Sequence, residues 1–149
     1  MSVIWQYLDK RSAAINALKD YSSMKYILEH TDEEIANIHD DVASIGSPVF
    51  SDMPHNASNP QSGEIRLTVA IDEINVLRER YRQAQEYMEW FQPAWDMLSE
   101  DEHYVLEQFY WHETDVYKIC DHFGIERSSA YNKKNRAVQH LTILLYGKA

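Results

Sequence analysis

Of the chain's 149 residues, 44% are hydrophobic and 12% aromatic, enough apolar side chain for a buried core, so disorder along the whole length is excluded. Cys120 is the only cysteine, which excludes a disulfide within the monomer, and no apolar run approaches the roughly 20 residues that span a bilayer. The formal net charge of -10 works against nucleic-acid binding unless cations are gathered on one segment, because Lys and Arg contacts to phosphate supply most non-specific affinity. With no basic-then-apolar leader pattern at the start, the expected compartment is the cytoplasm, with no membrane partner.

In chain order, Ile4, Leu8, Ile15, Leu18, Met24 and Ile27/Leu28 recur at helical spacing, and Ile35, Ile38, Val42 and Ile45 continue it. Thr31 followed by Glu34 has the form of a capping box, which predicts a helix break near His30 and two helices or one kinked helix. Residues 46–63 hold Pro48, Pro54 and Pro60 between Gly46 and Gly63 and read as a long, mobile loop. Beyond it, Leu67, Ile71, Ile74, Tyr81, Met88, Phe91, Trp95 and Leu98, supported by Leu77 and Ala84, fall near alternating steps of three and four. Such heptad-like spacing suits a long helix packed on the N-terminal helices as a hairpin, with a homodimeric coiled coil as the competing arrangement. Pro93 is expected to kink or end this helix near Gln92. These features make residues 1–98 a helical or coiled-coil region.

Residues 99–149 read as a separate tri-helical module, giving an all-α fold overall. Ser99 with Glu102 predicts a capped helix start, and the helix from about Asp101 to Trp111 presents Val105, Leu106, Phe109 and Tyr110. Thr114 or Asp115 caps a short helix presenting Val116, Ile119, Cys120 and Phe123, and Gly124 suits a left-handed stop with Ile125 plugging the turn. Ser128 or the residue before it opens a third helix, with Ala130, the stem of Lys134, Ala137, Val138, Leu141 and Leu145 turned inward. A short helix, a Gly-containing turn and a basic helix form a helix-turn-helix pattern.

From Ile125 onward Arg127, Lys133, Lys134, Arg136 and Lys148 face one acid, Glu126, so the negative charge lies almost wholly in the rest of the chain. A recognition helix needs small or polar residues for base edges and cations for phosphate. Arg127, Ser128, Ser129, Tyr131, Asn132, Lys133, Lys134 and Arg136 are the candidate DNA-binding residues. The histidines, among them His39, His103, His112 and His122, show no diagnostic ligand spacing, so no metal or cofactor is expected. No phosphate loop, nucleophile elbow or carboxylate pair points to an enzyme. Tyr87, Trp90, Phe91, Trp95, Tyr104, Phe109, Tyr110 and Trp111 read as the core joining the long helix to the module, with a partner-binding patch as the sharper alternative.

The segment from Leu98 to Leu145 resembles region 4 of the sigma-70 factors, on Leu98, Phe109-Tyr110, Ile119-Cys120, Phe123-Gly124, Ser128-Ser129 and Arg136-Ala137-Val138 followed by Leu141. It departs from that pattern at Lys118 and Cys120. The wider layout, with Asp52-Met53-Pro54 in the loop, is similar to small phage and prophage transcriptional regulators of the ArpU and RinA type. The second resemblance implies late-gene regulation, and with the helix-turn-helix pattern the expected function is a sequence-specific transcriptional regulator that binds double-stranded DNA. RNA polymerase is a further candidate partner, and the heptad-like stripe makes a homodimer through the N-terminal helices another. The alternatives are an acidic interaction protein that binds polymerase or another protein through a region 4-like fold, and a small terminase-type DNA-recognition subunit.

Overall fold

A computed structural model describes residues 8–46 and 60–147. These form five α-helices, α1 (Lys10–Gly46), α2 (Pro60–Asp96), α3 (Glu100–Leu106), α4 (Val116–Phe123) and α5 (Arg127–Tyr146), with a π-helical segment, Glu107–Trp111, continuing α3. No strand occurs among the described residues, and the all-α class is as expected. No helix among them is long and apolar enough to cross a membrane.

Several helix boundaries differ from expectation. No break occurs at His30: Thr31 is buried and its hydroxyl donates back to the Ile27 carbonyl, a bond made inside a helix rather than at a cap. The start of α1 is fixed instead by Asp9, whose carboxylate accepts from the Ser12 N–H at 3.1 Å and the Ser12 hydroxyl at 2.9 Å. Ile4 lies outside the described residues, and Leu8 precedes the helix and is exposed. Pro93 sits inside α2, which continues to Asp96. An internal proline costs about 3 kcal/mol, and the buried Ala94, Trp95 and Leu98 just beyond it supply the compensating burial. The stretch expected as loop is helical at both ends, with Gly46 closing α1 and Pro60 opening α2, where the missing N–H of proline costs nothing. The expected mobility of that loop and its Asp52-Met53-Pro54 motif fall on residues 47–59, outside the described ones.

Two compact units divide the chain, one of residues up to Met24 together with those from Glu86, the other Lys25–Gln85. The boundary expected at 98/99 therefore falls inside the first unit. In the second unit the buried line along α2 runs through Ala70, Ile74 and Ala84, with Leu77 and Tyr81 half-buried, which is steps of four and three. Leu67 and Ile71, expected on that stripe, are about half exposed, because the line passes through Ala70 and residue 71 lies about 100° around the helix from it.

The first unit holds two apolar clusters. The larger joins Leu18 and Ala14 of α1, Phe91, Trp95 and Leu98, Leu106 of α3, and Ala137, Val138 and Leu141 of α5. Tyr21 is its aromatic hub, 5.6 Å from the Phe91 ring and 4.8 Å from the Trp111 ring. Local spacing on α1 gave no reason to single out this residue. The Tyr87 hydroxyl donates to the Ala17 carbonyl, and burial pushes its phenol well above its ordinary value. The smaller cluster is Ile119, Cys120 and Ala130, covered by Tyr104, Phe109, Val116, Phe123 and Ile125. The expected aromatic core is thus split in two, and Trp90 is partly exposed with its indole N–H donating to the Leu145 carbonyl at 3.3 Å.

The π-helical segment accounts for the split. The expected α-helix to Trp111 gives way at Glu107, and the His112 N–H reaches back five residues to the Glu107 carbonyl at 2.9 Å. The wider turn directs Phe109 toward the smaller cluster, while Tyr110 and Trp111 pack on the larger and the Trp111 N–H donates to the Leu18 carbonyl at 2.9 Å.

The Ser99 capping box is complete: the Ser99 hydroxyl accepts from the Glu102 N–H at 3.2 Å and the Glu102 carboxylate accepts from the Ser99 N–H at 3.1 Å. Partial burial pushes the Glu102 carboxyl up, but the Ser99 N–H and His140, 2.8 Å away, outweigh it and hold the group below the ordinary carboxylate value. A depressed carboxyl contributes stability above its unfolded pKa and loses it as pH falls through the folded one. Ser99→Ala is expected to cost about 1 kcal/mol at neutral pH. Glu102→Gln should lower stability at pH 7 and narrow its gap to the parent as the solution is acidified, both read by urea unfolding of the full chain.

Candidate nucleic-acid interface

The fold of this part follows from two local signals. Asp115 caps α4 by accepting from the Tyr117 N–H at 3.1 Å, and Gly124 ends α4 at φ 64°, where its N–H donates to the Cys120 carbonyl. Residues 124–126 then form a three-residue turn, and α5 opens at Arg127 behind Glu126. Ile125 is half-buried on the smaller cluster, so the turn is plugged as expected. Gly124→Ala would put a side chain on a left-handed backbone, a strained substitution although nothing lies within 4 Å of the added Cβ.

All eight candidate DNA-binding residues lie on the first half of α5, but not on one face. The helix buries Ala130, Ala137, Val138, Leu141, Thr142 and Leu145. Opposite that stripe, Ser128, Ser129, Asn132 and Arg136 are exposed, and Asn135 and Gln139 extend the same polar surface. Arg127 is exposed too, its guanidinium 5.7 Å from the Tyr131 ring centre, and hydrogen bonding to the Tyr131 hydroxyl is the leading cause that raises its pKa.

Tyr131, Lys133 and Lys134 are half-buried. The Lys134 ammonium lies 5.2 Å from the Phe109 ring and 5.3 Å from the Tyr131 ring, so this cation is turned to the module's aromatics, as its inward stem implied. The Lys133 ammonium lies 4.8 Å from the Phe123 ring. Lys133 and Arg136 also border a recess of about 280 Å³ with Ser99, Asp101 and Glu102 at the start of α3, so carboxylates stand beside both cations.

One cation on this surface had no signal in the sequence. The Arg11 guanidinium, at the start of α1, donates to the Asn135 side-chain oxygen at 3.0 Å across 124 residues of chain. Only tertiary packing puts it beside α5. Among the described residues no group of three His, Cys, Asp or Glu could hold a metal ion.

The described residues are thus all-helical, and their C-terminal part runs as a short helix, a three-residue turn and a longer helix with a polar outward face. Compared with protein-family models, curated proteins and solved structures, the chain matches none.

Proposed function

We propose that this chain is a DNA-binding transcriptional regulator that places α5 in the major groove of a duplex. The observation that carries the reading is α5 itself: twenty residues with four cations and no acid, in a chain of net charge -10, whose outward face is polar and exposed. Small and amide side chains at Ser128, Ser129 and Asn132 suit base edges, and Arg136 and Arg11 suit the flanking phosphates. Lys134 serves the fold rather than the duplex. The acidic start of α3 screens Lys133 and Arg136, which limits binding to duplexes that also satisfy the polar face.

The test is fluorescence anisotropy of the full chain with duplexes spanning the DNA beside its own gene, across a salt series. Binding to one duplex above random sequence, weakening as salt rises, is the expected result. A chain that binds no duplex at low salt and instead captures purified RNA polymerase would make the module a protein-binding one.

A further inference from the structure

Within the Lys25–Gln85 unit, α2 carries a second apolar line besides the buried one. Ile65, Val69 and Val76 fall on one stripe with Asp72, at steps of four, three and four, and all three apolar residues are about half exposed or more. This line lies about 140° around the helix from the line through Ala70 and Ile74. A helix packed against a single neighbour needs one such line, and α2 has two.

Beside the exposed line runs a groove between α1 and α2, floored by Ile38, Val42 and Leu77, its larger recess enclosing about 590 Å³. From Ile65 to Leu77 it extends about 18 Å, three turns and more of helix. The rim of the larger recess carries Glu34, Asp72 and Glu73 and no cation, and Arg66 and Asp41 border the smaller recess. An isologous second copy would set this acidic rim against itself.

We propose that the groove seats a basic amphipathic helix of a partner protein. Apolar side chains at heptad spacing enter between Val69, Val76 and Ile38, and flanking Lys or Arg meets the carboxylates of Glu34, Asp72 and Glu73. This site is separate from α5, and the role of α5 can fail without affecting it.

The probe is a synthetic helix of about 18 residues with leucines at heptad positions and lysines or arginines flanking them, titrated into the full chain. A second peptide with glutamates in place of the cations is its partner. The basic peptide is expected to bind and the acidic one not. The double variant Val69→Ser, Val76→Ser, which changes exposed side chains and no charge, should weaken binding by about tenfold. Asp72→Asn with Glu73→Gln should weaken it severalfold and reduce its salt dependence. Equal binding of both peptides, no binding of either, or binding indifferent to the Val69 and Val76 replacements overturns the proposal. So does sedimentation showing a dimer that the serine variant dissociates, since a second copy then fills the groove.

Discussion

Phe91→Ala is expected to destabilise the chain by roughly 3 to 5 kcal/mol, the range for removing a buried aromatic ring. Phe91 is wholly buried, with the rings of Tyr87, Tyr21 and Trp95 at 5.2, 5.6 and 6.0 Å, so its removal leaves a cavity walled by stiff aromatics that collapse poorly. The loss is larger than area alone suggests, because the same ring links α1 to α2 and both to α3 and α5 through Leu106 and Leu141. Urea unfolding followed by tryptophan emission is the measurement, since Trp95 and Trp111 lie in the same cluster, 4.8 Å apart. Ile65→Ala, at an exposed position, should stay within about 0.5 kcal/mol of the parent. A Phe91 variant as stable as that control would contradict the shared core.

Asn132→Ala and Arg136→Ala are expected to weaken DNA binding in different ways. If the exposed Asn132 amide reads a base edge, its removal should cost about 1 to 3 kcal/mol on the preferred duplex and little on duplexes altered at that base pair. Arg136→Ala, and Arg11→Ala beside it, should weaken binding to every duplex and lower the salt slope by about 0.9 for each phosphate left without its cation. Lys134→Ala separates charge from position: with its ammonium over two rings, it should lower stability while leaving the salt slope near that of the parent. Anisotropy titrations over a salt series with matched and mutated duplexes resolve all four. A slope that falls equally for Lys134→Ala and Arg136→Ala would show that the rings do not hold Lys134 away from the phosphates.

Much of the C-terminal part was legible because its signals are local. Ser99 and Glu102, Asp115, and Gly124 each act within one turn of the chain, so residue type at fixed spacing was enough to predict the capping box and the left-handed stop and to narrow the α4 cap to Thr114 or Asp115. The inward stripe of α5 was legible for the same reason, since Ala130, Ala137, Val138, Leu141 and Leu145 repeat with the helix. Thr31 misled because its local preference was opposed by burial: a threonine faced with a core satisfies its hydroxyl inside the helix, and of the two outcomes expected at Pro93 the ending does not occur, since burial of Trp95 and Leu98 carries the helix through. What no local pattern held was the relation between distant segments. Tertiary packing decided that Tyr21 would stack among the rings of α2 and the π-helical segment, that Lys134 would turn to Phe109, and that Arg11 would meet Asn135. By itself the sequence determined the all-α class, the Ser99 capping box, the Gly124 stop and the placing of cations on α5, because these depend on neighbours a few residues away. Which of those cations remain exposed, and which distant one joins them, was decided only by the fold, because a side chain's freedom depends on what packs beside it.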